Sequence, residues 1–203
     1  MPKIAIVDYG LGNLRSIRKG LERAGAEAIV TNEVHRIAEV DAIVLPGVGA
    51  FEEALRNIKP LIPMIFQGIE GGKALLGICL GMQLLFTEST EGGLHRGLNI
   101  FKGRILPLPE GRKVPQIGWN TLKILKPKNP LVKGIENGSY VYFAHSYFAK
   151  NEVEEDLVAT VNYGFDFPAI VSRNRIFATQ FHPEKSGNIG LRILKNFVEI
   201  MVT

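Results

Sequence analysis

Cysteine is nearly absent from this chain: there is one, Cys79, among 203 residues. A single thiol cannot close an intramolecular disulfide, so the fold has to be held by its core. Long apolar runs are missing as well. Pro60 and Pro63 interrupt the best candidate, Leu61 to Phe66, and no stretch reaches the roughly 18 apolar residues a bilayer-spanning helix needs. The N-terminus, Met1-Pro2-Lys3-Ile4-Ala5-Ile6-Val7-Asp8, is too short and too soon charged for a secretory leader. The net charge is only +4, with no Lys/Arg block and no aromatic-basic stripe, so nucleic acid is not an expected partner. These absences together predict a cytoplasmic protein that enters no membrane.

What is present suits a globular enzyme. With 46% hydrophobic and 22% charged residues, the chain can bury a sizeable core, and no repeat or linker divides it, which predicts one domain over residues 1–203. In the first half, short β-branched runs (4–7, 28–31, 42–45) alternate with helical patterns such as 14–24, where Asn13 suits the N-cap and Gly25 the stop. Fully apolar strands of this kind belong to a parallel sheet covered on both faces, with its ligand crevice at the carboxyl ends of the strands. From Leu98 onward, extended segments separated by Pro107, Pro109, Gly111, Pro127, Pro130 and Gly138 predict antiparallel strands, then a last helix over 189–201. The predicted class is α/β in three layers, a mostly parallel central sheet between helices in a flavodoxin-like arrangement, with antiparallel strands in the second half.

Cys79 sits in Gly77-Ile78-Cys79-Leu80-Gly81, between the apolar run 73–76 and the helical-looking 82–86. A lone cysteine is commonly a small buried hydrophobe. Between two glycines at a strand-to-helix junction, however, the backbone can turn sharply and present the sulfur beside a helix N-terminus. Far downstream, His182-Pro183-Glu184 follows the strand-like 176–181. In extended chain, residues two apart project together, so Glu184 can fix the imidazole tautomer while the other ring nitrogen reaches the sulfur. Cys79, His182 and Glu184 thus make a nucleophile, base and orienter. A neighbouring imidazolium and a helix N-terminus both favour the thiolate, the reactive form.

The other histidines suit this task less. His35 lies in a charged, solvated helix face, His95 in a glycine-flanked loop, and His145 in the aromatic strand 140–147, where it is expected near the site without being its base. A second glycine-rich turn, Pro46-Gly47-Val48-Gly49, ends a strand and precedes a helix. Attack of sulfur on a carbonyl creates an oxyanion, and the backbone amides of Val48 and Leu80 are the expected donors to it. Glycine on both sides of Val48 also makes a peptide flip cheap, so this hole could form on demand.

Gly77 to Gln83, Pro46 to Gly49 and Phe181 to Ser186 resemble the class I (triad) glutamine amidotransferases, whose pattern runs over nearly the whole chain. Two further segments, 8–13 (Asp-Tyr-Gly-Leu-Gly-Asn) and 115–120 (Pro-Gln-Ile-Gly-Trp-Asn), are similar to one branch, the glutaminase subunits of imidazole glycerol phosphate synthase. The resemblance implies hydrolysis of L-glutamine through a glutamyl thioester on Cys79, with no cofactor and no metal. It implies a substrate site made by Gln83, Glu91, Gly49, Ser146 and Tyr147. It also implies a heterodimer with a (β/α)8-barrel cyclase that receives the ammonia and makes imidazole glycerol phosphate and AICAR. By the same resemblance, Asn13, Trp119, Tyr142 and Lys185 face that partner. Gln116 departs from the histidine that many members carry there. Three alternatives stay open at this point. They are a glutaminase serving another synthase, which should lack the 8–13 and 118–120 signatures, a free-standing cysteine hydrolase indifferent to any cyclase, and a non-catalytic subunit, which should have lost part of the triad.

Overall fold

The computed structural model describes residues 1–202. Two sheets carry the architecture. The chain begins with β1 (Lys3–Val7), α1 (Leu14–Arg23), β2 (Glu27–Thr31), α2 (Val34–Ala38), β3 (Ala42–Leu45), α3 (Phe51–Ile58), α4 (Ile62–Glu70) and β4 (Ala74–Ile78). It continues through α5 (Leu80–Leu84), β5 (Phe86–Ser89), β6 (His95–Arg96), β7 (Phe101–Pro107), β8 (Gln116–Ile124), β9 (Tyr140–His145) and β10 (Tyr147–Asn151). It ends with β11 (Leu157–Asn162), β12 (Asp166–Arg173), β13 (Ile176–Thr179) and α6 (Gly187–Glu199).

The nine-stranded central sheet runs β2-β1-β3-β4-β13-β12-β11-β8-β9. Pairing is parallel from β2 to β13 and antiparallel from β13 to β9. A smaller sheet, β10-β7-β5-β6, packs beside it. The apolar strands read as they do because both faces are covered. Ile4 and Ile6 point to one core with Ile17, Leu21, Leu194 and Phe197 of α1 and α6, while Ala5 and Val7 point to another with Phe51, Ile58, Ile65 and Phe101. Each fully buried side chain of this size contributes about 1.5–3 kcal/mol. Among the described residues, no helix is long and apolar enough to cross a membrane.

The second half is not wholly antiparallel. The last strand, β13, enters the middle of the sheet and pairs in parallel with β4, with Thr179 opposite Ile78; β5 and β7 are parallel as well. The helix after Cys79 also stops earlier than the apolar pattern suggests. Its terminal carbonyls at Leu84 and Leu85 accept the amides of Leu98, Ile100 and Phe101, which turns the chain into β5 at Phe86. Finally, α6 begins two residues before the expected 189 and ends at Glu199, and the Asn13 side chain makes no cap hydrogen bond to α1.

Candidate active site

Because β4 and β13 are adjacent and parallel, their carboxyl ends deliver Cys79 and His182 to the same edge of the sheet, and the Cys79 amide donates to the Thr179 carbonyl (2.7 Å). Cys79 has φ +52°, a left-handed value that is uncommon outside glycine. The turn is that sharp because the flanking glycines allow it. A Cβ on Gly81 would stand 1.9 Å from the Leu45 carbonyl oxygen, and one on Gly77 would stand 2.9 Å from the Gly81 oxygen. The glycine-rich turn after β3 lies directly against this elbow: a Cβ on Gly47 would meet the Leu80 Cβ at 2.7 Å and the Tyr9 hydroxyl at 2.6 Å. That buried hydroxyl donates to the Pro46 carbonyl, which tethers the turn carrying Val48. Burial pushes the Tyr9 phenol up, and the nearby Cys79 sulfur adds to it, so the hydroxyl keeps its proton.

His182 Nδ1–H donates to Glu184 Oε1 (2.8 Å), and neither side chain has more than 2% exposure. The contact arises differently from the extended geometry expected for 182–184. His182 is extended, but Pro183–Lys185 form a 3-10 turn that folds Glu184 back under the ring. Ser186 secures the turn. Its hydroxyl donates to the His182 carbonyl (2.7 Å) and accepts the Tyr142 amide (2.9 Å), while the His182 amide donates to the Tyr142 carbonyl (2.9 Å). The second ring nitrogen, Nε2, is buried with no well-aligned partner and interacts with Cys79. Burial opposes charge on this ring. The hydrogen bonds and charges of Cys79 and Glu184 outweigh it and push His182 up to about 10. His145 behaves oppositely. Its Nδ1–H donates to the Tyr147 carbonyl (2.8 Å), yet burial, with His182 nearby, pushes it down to about 4. It is a neutral ring at the wall of the site.

A cleft of about 240 Å³ opens over Cys79, and its lining includes Val48, Gly49, Leu80, Gln83, Glu91, Ser146 and Tyr147. Every residue named from the sequence as oxyanion donor or substrate contact therefore borders one cavity. His145, Ala144, Pro115 and Ile117 border it too. Asn13, Trp119, Tyr142 and Lys185 do not line the cleft. Trp119 faces Tyr142 across β8 and β9, edge-to-face at 5.9 Å, and Lys185 Nζ lies 5.7 Å from the Tyr142 ring centre. Two of the cleft residues carry structural duties as well. Glu91 accepts the Phe51 amide (3.2 Å) at the start of α3, and burial raises its carboxyl against the opposing pull of that bond and of His95. Gln83 spends both side-chain N–H donors, on the Tyr147 carbonyl (3.0 Å) and on Gln180 Oε1 (3.1 Å). Among the described residues, no cluster of His, Cys, Asp and Glu could hold a metal ion.

A family profile described as glutamine amidotransferase class-I matches residues 5–201. Curated relatives named "Imidazole glycerol phosphate synthase subunit HisH" are close. One from Caldanaerobacter subterraneus subsp. tengcongensis is 49% identical over 200 residues, covering 98% of each chain. Another, from Methanosarcina acetivorans, is 50% identical over 203 residues, covering 98% of this chain and all of the relative. The chain belongs to the HisH family of class I glutamine amidotransferases. The fold of this HisH-family chain recurs in more distant solved structures. PurLQS from Thermotoga maritima aligns with TM-score 0.78 at 20% identity over 98% of both chains. A glutamine amidotransferase, also from Thermotoga maritima, aligns with TM-score 0.71 at 15% identity, covering 99% of this chain and 98% of that one. At such identities the likeness concerns fold alone. Tyr9, Ala144, Gln180 and Ser186 are among the site residues of this HisH-family chain that sequence reasoning did not assign. Their only signal was their position within or beside the segments 8–13, 140–147 and 181–186.

Proposed function

We propose that this chain is the glutaminase subunit of imidazole glycerol phosphate synthase, a single amidotransferase domain that hydrolyses L-glutamine and passes the ammonia to a partner cyclase in histidine biosynthesis. Cys79 Sγ attacks the side-chain carboxamide carbon. The thiol proton, already held at Nε2 of the raised His182 ring, passes to the departing ammonia as the C–N bond breaks, leaving a γ-glutamyl thioester. Water then attacks the thioester, His182 takes its proton, and the S–C bond breaks to release glutamate. Glu184 holds the imidazole in the tautomer that directs Nε2 at the sulfur. The oxyanion of each step is met by the Leu80 amide, which lies in the first turn of α5 where no helical acceptor exists, and by the Val48 amide of the glycine-flanked turn.

The observation that carries this reading is the approach of the Cys79 elbow, which lines the cleft, and the His182–Glu184 pair behind it, more than a hundred residues apart in sequence. Glutamine binds there with Gly49, Gln83, Glu91 and the Ser146-Tyr147 segment, Glu91 partnering the substrate ammonium. Trp119 is the aromatic anchor for the barrel-shaped cyclase, with Tyr142 and Lys185 behind it and Asn13 at the same partner surface. The test is to measure glutamate formation from glutamine with and without the cyclase and its nucleotide. Stimulation by the pair is expected. A rate indifferent to the cyclase overturns this assignment and favours a free-standing hydrolase.

A further inference from the structure

We propose that Gln180 is a further catalytic residue, whose side-chain N–H donates to the Cys79 sulfur and stabilises the thiolate both as nucleophile and as leaving group. The proposal rests on the reading of Cys79 as the nucleophile. Gln180 is fully buried, on the segment that joins β13 to His182. Which end of its carboxamide faces the sulfur follows from a chain of bonds with a fixed polarity. The Tyr147 carbonyl can only accept, so Gln83 Nε2 is the donor in their 3.0 Å contact. The second N–H of Gln83 then points at Gln180 Oε1, 3.1 Å away. With that oxygen engaged, Gln180 Nε2 is left facing Cys79 Sγ at 3.6 Å. Turning the amide over would set two N–H donors against each other in a buried space, at the full cost of unmade hydrogen bonds.

The sulfur therefore has two neighbours of opposite character. The Ala144 carbonyl oxygen, 3.8 Å away, can accept from the neutral thiol, whereas Gln180 can only donate to it. When the thiol proton moves to His182, the carbonyl loses its donor and the Gln180 contact becomes a charge-assisted hydrogen bond, the stronger kind. The same exchange recurs when water breaks the thioester and the S–C electron pair returns to sulfur. Gln180 exerts this effect without a charge of its own. Through Gln83 it also links the sulfur to the Tyr147 carbonyl on the cleft wall.

The test uses alkylation by iodoacetamide, which reports on Cys79 alone because the chain has no other cysteine. Gln180→Met keeps the bulk and removes the donor. Alkylation at neutral pH should slow by about tenfold, and kcat for glutamine should fall by a similar factor with KM within about twofold. Gln180→Glu, which turns a carboxylate oxygen toward the sulfur, should slow alkylation further. An unchanged alkylation rate in folded Gln180→Met overturns the proposal. A second measurement needs no variant: in the unaltered protein labelled with 15N-glutamine, the Gln180 amide resonance should move when Cys79 is alkylated, and a stationary signal overturns the proposal too. Neither labelling readout requires turnover. A protein that alkylates as expected but makes no glutamate would refute the proposed function and leave the Gln180 contact standing.

Discussion

Cys79 on the cleft floor and Gln180 and His182 behind it expose 5% or less of their surface, whereas Val48 and Ile117 at the rim and Trp119 beyond it expose 41%, 65% and 55%. The floor is built from the ends of central parallel strands and is saturated with specific bonds: His182 to Glu184, Ser186 to His182, Gln83 to Gln180. The rim comes from the edge strand β9, its neighbour β8 and a glycine-flanked turn. The difference teaches that the groups proposed to move protons are buried and fixed by bonds within the chain, while the surface around the mouth leaves apolar side chains open, as the proposed docking of a cyclase requires. Of the two expected oxyanion donors, Leu80 is buried in the elbow, whereas Val48 is exposed between two glycines, with Gly49 at φ +109°.

Replacing the nucleophile attacks the floor most directly. Cys79→Ala should lower glutamate formation by roughly 10⁴-fold or more while the protein still folds, as judged by a cooperative melt. A smaller loss would mean that the floor does not carry the chemistry. Gly81→Ala tests whether the floor tolerates any slack: its Cβ would lie 1.9 Å from the Leu45 carbonyl oxygen, and the loss of stability in denaturant titration should be about 3 kcal/mol. The rim should respond in the opposite way. Trp119→Ala should cost about 2 kcal/mol, near thirtyfold, in cyclase affinity by calorimetry, and under about 0.5 kcal/mol in the stability of the isolated chain.

In the pH dependence, floor and wall have opposite signs. His182 is raised from 6.5 to about 10, so the folded state holds the extra proton, and its contribution is complete below pH 6.5 and lost as pH rises through 10. His145 is lowered to about 4, so the unfolded state binds the extra proton, and stability falls as pH drops from 6.5 towards 4. Unfolding free energies measured across both windows should slope down on each side. His145→Gln should flatten only the acid slope.

Much of the fold was legible where the cause is local. The strands 4–7 and 42–45 are continuous apolar runs, and α1 follows from the spacing of Ile17 and Leu21. The elbow at Cys79 was legible because two glycines flank it. Less legible was the end of α5, since the groups that stop it, Leu98 and Ile100, come from a later segment. The 3-10 turn at Pro183 was missed in favour of extended chain because its hold comes from Ser186 and Tyr142, the latter forty residues upstream. Gln83 was legible as a cleft residue, but the use of its two N–H groups was not.

By itself, the order of residues determined the segments that turn sharply, the strands that must be buried on both faces, and the presence of one thiol, of His-Pro-Glu after a strand, and of the glycine-rich turns at 46–49 and 77–81. Those outcomes depend on steric and hydrophobic preferences acting over a few neighbouring residues. Only the tertiary structure decided that β13 enters between β4 and β12, which brings His182 to Cys79, turns the Gln180 amide towards sulfur, and sets the Tyr9 hydroxyl under the Pro46 carbonyl. The direction of a buried hydrogen bond is set by whichever acceptor the packing leaves nearby, and that acceptor lies many residues away along the chain.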